Sequence, residues 1–164
     1  MRHHQKGFSL IELLIVVAII LIVAAIAIPN LLRSRIAANE SSAVGSIRTI
    51  NTGQVTYAST YPDQGFTCSL ASLGPPAGSS AGSTGGGLID GVLASGVKSG
   101  YNFALTSCTA AGSTTINVTY ASTGVPTAPG QTGQRAFCSD QSGVIKYDAG
   151  GSGSSCLTGT TALQ

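Results

Sequence analysis

From Phe8 to Ile28 only Ser9 and Glu12 are polar, and from Leu13 to Ile28 there is no polar side chain at all. Such a segment is about long enough to cross a ~30 Å hydrocarbon core as a helix. Arg2, His3, His4 and Lys6 precede it, and basic flanks stay on the cytoplasmic side. The bulk of the chain is therefore expected to be exported. A secretory signal peptide also combines a basic start with an apolar middle. Against that reading, the seven residues before the Gly7–Phe8 junction are too few for a basic region plus an apolar core. The nearest small-residue cleavage site within the run is Ala24-Ala25-Ile26-Ala27. A plain anchor explains the apolar run but gives no reason for Glu12, and an ionisable side chain within a spanning segment is a functional hypothesis by default.

Few of the remaining residues are charged, while Gly, Ser and Thr are abundant. The formal charge of +2 comes from Arg2 and Lys6. Without them, Arg33, Arg35, Arg48, Lys98, Arg135 and Lys146 balance Glu12, Glu40, Asp63, Asp90, Asp140 and Asp148. That balance predicts no specific nucleic-acid site of the kind that releases many counterions. Four cysteines in an exported domain favour disulfides over free thiols.

Beyond the apolar run, Leu32, Ile36, Ala43, Ile47, Ile50 and Ala58 recur at helical spacing, so the helix is expected to continue to Tyr61 as an amphipathic spine. Pro29 predicts a kink or local melting near Ala25–Pro29, and Gly45 and Gly53 weaken the helix locally. Pro62 disfavours helical geometry for the residue before it. A helical turn is expected at Ser69–Leu73 and a short helix at Leu88–Leu93. Between them, Ala77–Gly87 is a Ser/Gly tract with little to bury, read as a linker. No Gly-Lys-Ser/Thr ending follows it, so it is not a phosphate loop. Four strands are expected over Tyr101–Thr106, Ile116–Ala121, Arg135–Ser139 and Val144–Tyr147, with Thr123–Gly133 as a Pro/Gly loop. They predict an α+β fold: a long amino-terminal helix packed on a small antiparallel sheet of about four strands.

The sequence Lys6-Gly7-Phe8-Ser9-Leu10-Ile11-Glu12, joined directly to the apolar run, resembles the processing site of type IV pilins and of the pseudopilins of type II secretion. Pro29 falls where many pilins carry Pro. The stretches Ser99-Gly100-Tyr101 and Pro129–Phe137 look like the sheet domain of a pilin-like subgroup. The resemblance implies that a prepilin peptidase cuts after Gly7, that Phe8 becomes the amino terminus and is N-methylated, and that Glu12 with Phe8 guides assembly. In that role the Glu12 carboxylate pairs with the Phe8 amine of a neighbouring subunit. The bland alternative is a Glu12 merely solvated near the membrane surface. An ion pair in low dielectric needs good geometry to offset desolvation.

Cys68, Cys108, Cys138 and Cys156 allow three pairings. Cys68–Cys108 with Cys138–Cys156 is the favoured set, the second bridge closing a carboxy-terminal loop as many pilins do. A zinc site would want a close Cys-x-x-Cys pair or histidines, and His3 and His4 both lie in the leader. Calcium at Asp140 and Asp148, as at the carboxy-terminal loop of some pseudopilins, is the rival to turn formation and solvation. Asn39-Glu40-Ser41 and Asn117-Val118-Thr119 match the bare glycosylation triplet, a pattern of low specificity. No Ser-His-Asp or Cys-His set exists beyond the leader, and the expectation is a non-enzyme with no cofactor and no metal.

The organisation expected is a leader at 1–7, a transmembrane and filament-core helix at 8–28, its amphipathic continuation at 29–61, and an exported loop-rich sheet domain at 62–164. The function implied is a structural subunit of a type IV pilus-like surface filament. It would be a homo-oligomer joined through residues 8–61, held as a prepilin in the inner membrane and built on an inner-membrane assembly platform. The alternatives are a periplasmic pseudopilin of type II secretion and a membrane-anchored binding domain that never polymerises.

Overall fold

In the computed structural model, residues 8–159 and 161–163 are described. The chain divides into two units after Arg35. Helix α1 (Leu10–Thr60) begins in the first unit and ends in the second. It starts where Ser9 supplies the first helical acceptor, Leu13 N–H donating to the Ser9 carbonyl at 3.3 Å. It continues through Pro29 without a break in helical structure. The local melting expected there does not occur, although Pro29 has no N–H to give the Ala25 carbonyl. The helix stops one residue before Tyr61 and Pro62, as the restriction on a residue preceding proline predicts.

Within the second unit, the buried face of α1 includes Glu40, Ala43, Ile47, Ile50, Gln54 and Tyr57, alternating steps of three and four residues. Leu32 is exposed and Ala58 half-buried, so the stripe is narrower in apolar content and richer in polar anchors than the sequence pattern implies. Gly53 serves close packing: a Cβ there would lie 3.2 Å from Ile89 Cγ2.

Two four-residue helices follow, α2 (Leu70–Leu73) and α3 (Gly91–Ala94). Asp90 caps α3 by accepting from Leu93 N–H at 3.0 Å. The Ser/Gly tract between them is tied down at several points. Gly86, Gly87 and Leu88 N–H groups donate to Ser72, Gly74 and Leu73 carbonyls, each at 2.8 Å.

The sheet has five strands in the order β1-β2-β3-β4-β5, all antiparallel: β1 (Val97–Lys98), β2 (Tyr101–Ala110), β3 (Asn117–Pro126), β4 (Ala136–Asp140) and β5 (Lys146–Asp148). The α+β class holds. The expected four strands become five because Val97–Lys98 folds back on Tyr101–Asn102 through the two-residue turn Ser99-Gly100. Both turn residues have positive φ, 50° and 73°, the signature of a type I′ hairpin. β3 extends through Thr123–Pro126, which the Pro/Gly content marks as loop, because these residues pair with Tyr101–Ala104 of β2. The strand is buried on both sides there, so tertiary packing overrides composition.

On one face of the sheet, Phe103 and Phe137 flank Gly124, where a Cβ would lie 3.7 Å from Ile47 Cδ1 of α1. On the other lies α4 (Gly153–Thr158), whose Cys156 bonds to Cys138 of β4. The β5 edge is closed by the terminal segment, where Tyr147 N–H donates to Thr161 O at 3.0 Å and Leu163 N–H to Ile145 O at 2.8 Å. Neither α4 nor this edge closure is signalled in the sequence, since both are Ser/Thr/Gly-rich. Val118, two residues before Tyr120 on the same side of the strand, is exposed. Tyr120 hydrogen-bonds Asn51 of α1 at 3.1 Å, and Val118 lies beyond that point of contact.

Candidate functional site

The amino-terminal end of α1 is built by its own short-range chemistry. Glu12 turns its carboxylate back so that Oε2 accepts from the Ser9 backbone N–H at 2.9 Å. Glu12, three residues after Ser9 at the cap, makes the carboxylate half of a capping box, which satisfies a donor that the helix itself cannot pair. The Ser-x-x-Glu spacing announces this cap, yet the sequence reading assigned Glu12 no local role. Glu12 therefore has a partner within its own chain, and Oε1 has no such partner among the described residues. Phe8 is 82% exposed. Gly7, the other half of the expected cleavage junction, and the leader 1–7 lie outside the described residues.

Along Leu10–Leu32 the large apolar side chains are exposed. Among the described residues one helix is long and apolar enough to cross a membrane, and none of its apolar window is buried. Leaving that much hydrocarbon in water is unfavourable at about 25 cal/mol per Å², so this surface requires lipid or other helices around it. Charge returns at Arg33 and Arg35, both exposed.

In the second unit the polar side chains of α1 act as anchors. Glu40 is 8% exposed. Its Oε1 accepts from Gln134 and Arg135 N–H, both at 3.0 Å. Its Oε2 accepts from Arg135 Nε at 2.9 Å and lies 2.7 Å from Arg135 Nη2. Burial alone would push the Glu40 carboxyl up, but these donors and the guanidinium charge hold it below the usual carboxylate range. Arg135 lies 5.4 Å from the ring centres of both Phe137 and Tyr147, within cation–π reach. Gln54 behaves as a strand edge in miniature, donating Nε2–H to Thr67 O at 2.7 Å and accepting Thr67 N–H at 3.0 Å. Asn51 donates to Ser139 Oγ at 2.8 Å and accepts from Tyr120. Burial pushes the Tyr120 phenol up to about 12. Glu40, Gln54 and Asn51 carry no apolar periodicity, so the helical stripe alone does not mark them as anchors.

The four cysteines form Cys68–Cys108 and Cys138–Cys156, with Cα separations of 6.0 and 5.9 Å. Asp140 and Asp148 are not brought together. Asp148 stands opposite Ala136, while Asp140 ends β4 and pairs with Ala121 of β3. Asp140 accepts from Ser142 N–H and Asp148 from Ser152 N–H, each at 2.9 Å, so both serve turns. Contacts with Ser142 hold the Asp140 carboxyl below its ordinary value. Among the described residues no cluster of His, Cys, Asp or Glu could hold a metal ion.

Residues 2–28 match the prokaryotic N-terminal methylation motif. The chain is 67% identical over 38 residues to the type IV wide pilus major component PilA4 of Thermus thermophilus, covering 23% of this chain and 29% of that protein. It is 46% identical over 55 residues to the type IV major pilin protein PilA of Myxococcus xanthus, covering 34% of this chain and 25% of that protein. The matches thus span less than a third of either relative. No solved structure matches the chain.

Proposed function

We propose that this chain, whose residues 2–28 match the prokaryotic N-terminal methylation motif, is a structural subunit of a type IV pilus-like filament. The observation that carries the reading is the uncovered apolar stretch from Phe8 to Leu32, in which Glu12 is the one charged side chain and would be the fifth residue of a chain cut after Gly7. A prepilin peptidase would cut between Gly7 and Phe8, and Phe8 would be N-methylated. Residues 8–28 would hold the subunit in the inner membrane with its amino terminus in the cytoplasm. Residues 8–61 would then join copies into a helical homo-oligomer, with 29–61 continuing the helix and a bend at Pro29 adjusting its path. The exported domain 62–164 would face outward, and an inner-membrane platform would drive assembly. The role is structural, with no catalytic step assigned to any residue.

Filament packing would place the apolar surface against other copies, each buried Leu, Ile or Val contributing about 1.5–3 kcal/mol gross. The pilus reading is preferred to the type II secretion pseudopilin because the two relatives above are pilus components. The bridge Cys138–Cys156 closing the carboxy-terminal loop and the separation of Asp140 from Asp148 support the same choice.

The test is to express the chain as the sole pilin in a host with a working prepilin peptidase. Electron microscopy should show surface filaments. Intact mass of the filament protein should lack residues 1–7 and carry one methyl group on Phe8. A chain that keeps residues 1–7 in that host, or that is processed yet stays in the membrane without filaments, would refute the reading.

A further inference from the structure

We propose that the Cys68–Cys108 bridge is a surface thiol–disulfide exchange site that takes a low-molecular-weight thiol, while Cys138–Cys156 is closed to exchange. The two bridges differ in access. Cys138 and Cys156 are 0% and 1% exposed, between β4 and α4. Cys68 is exposed and Cys108 half-exposed. Exchange requires a thiolate to reach a sulfur atom, so access decides which bridge reacts.

The surroundings of the outer bridge let it open without loss of the fold. On the Cys68 side, the preceding residues are held by other bonds. Gln54 pairs both backbone groups of Thr67. Phe66 N–H donates to Asn117 O at 2.9 Å, Asn117 N–H to Gln64 O at 3.0 Å, and Asn117 Nδ2 to Phe66 O at 3.0 Å. On the other side Cys108 stands in a bulge. The β2–β3 register shifts between Thr106 and Thr109, skipping Ser107 and Cys108, and Ser107 has φ of 53°. Across the bulge Thr119 Oγ1 donates to Ser107 O at 3.4 Å and accepts from Thr109 N–H at 3.1 Å, so both sides keep hydrogen bonds of their own when the disulfide opens.

The step balances with thiol alone. A thiolate attacks Cys108 Sγ, a new S–S bond forms there, and the protein S–S bond breaks. The electron pair leaves on Cys68 Sγ, which the Asn117 amide nitrogen faces at 3.6 Å, and Cys68 then takes a proton from water. A second thiolate attacks the outer sulfur of the mixed disulfide. It expels Cys108 as thiolate and carries off the small-molecule disulfide. Two thiols are oxidised and one protein disulfide is reduced.

The experiment treats the full-length protein in detergent micelles with reduced glutathione, quenches with iodoacetamide and maps the labelled peptides by mass. Cys68 and Cys108 should be labelled at least about tenfold faster than Cys138 and Cys156, with unchanged circular dichroism and glutathione first trapped on Cys108. Equal or reversed labelling rates, or labelling that coincides with loss of the folded spectrum, would overturn the proposal. Glutathione trapped on Cys68 instead would overturn the assignment of the leaving sulfur. The variant Cys68→Ser/Cys108→Ser should keep the native spectrum and the protection of Cys138 and Cys156. If it does not fold, the outer bridge is structural and the proposal fails by that route.

Discussion

Glu40 is one acid in the chain whose every strong contact is internal, and its energetics follow from its donors. Its folded pKa lies below the ordinary value of 4.5. A depressed carboxylate contributes stability that is fully present above the unfolded pKa and is lost as pH falls through the folded one. Glu40→Gln should therefore lower unfolding stability at pH 7 by roughly 1–3 kcal/mol, the range for hydrogen bonds to a charged group, discounted because Arg135 is partly exposed. Urea titrations at pH 7 and pH 3 should show the gap between wild type and variant shrinking at the lower pH. A gap that does not depend on pH would mean that the carboxylate charge is immaterial. Ser99 makes the opposite kind of prediction. It holds φ of 50° in the β1–β2 turn, a conformation that costs an ordinary side chain and suits Asn. Ser99→Asn should stabilise by about 0.5 kcal/mol, minus the exposed Ser42–Ser99 hydrogen bond, read as a small rise in Tm.

At the scale of elements, beside the Asn51 hydrogen bonds to Ser139 and Tyr120, the sheet approaches α1 at a tight point at Gly124. A Cβ at Gly124 would lie 2.9 Å from Phe103 Cε1 and 3.7 Å from Ile47 Cδ1. Gly124→Ala should destabilise by about 1–3 kcal/mol through overpacking, seen as a lower urea midpoint, whereas the same change at exposed Gly45, where nothing lies within 4 Å, should stabilise α1 by up to about 1 kcal/mol. Gly124 also shows why parts of the fold were hard to read. The long helix was legible because its apolar run and its 3–4 spacing are local patterns, and its end was legible from Pro62. The strands over Tyr101–Thr106 and Arg135–Ser139 were legible from alternation. Thr123–Pro126 was not, because it is a strand only by virtue of neighbours on both faces, and a Gly there reads as a turn until Phe103 and Phe137 are seen beside it. Likewise α4 carries no helical signature of its own beyond the Ser152 cap, which accepts Ser155 N–H at 3.4 Å. It depends on Cys156 for its attachment to Cys138.

For the whole molecule the question is what one carboxylate does in an apolar helix that must find a cover. The sequence singles out Phe8 and Glu12 as candidate assembly residues because a charge in such an apolar run is conspicuous. The capping bond was overlooked because the residue pair was read for assembly alone. The two roles have different consequences for Glu12 variants. As a cap, Glu12 satisfies Ser9 N–H, and losing it should cost the first helical turn about 0.5–2 kcal/mol without touching the domain beyond Ile36. As an assembly group, it would pair with the Phe8 amine of a neighbour, and losing it would leave that amine as an unpaired charge in a low-dielectric setting, a cost of several kcal/mol per contact. Glu12→Gln separates them, because the amide oxygen can still accept from Ser9 N–H but carries no charge. With each variant as the only copy of this chain in a host that makes no other pilin, the assembly role predicts for Glu12→Ala normal membrane levels of folded, disulfide-bonded protein with few or no filaments. Glu12→Gln should be nearly as defective in filament counts while keeping the helix start, which amide hydrogen exchange at Ser9 to Leu13 would report. Wild-type filament numbers in Glu12→Gln together with their loss in Glu12→Ala would assign Glu12 to the cap. Wild-type numbers in both would remove the residue from assembly altogether.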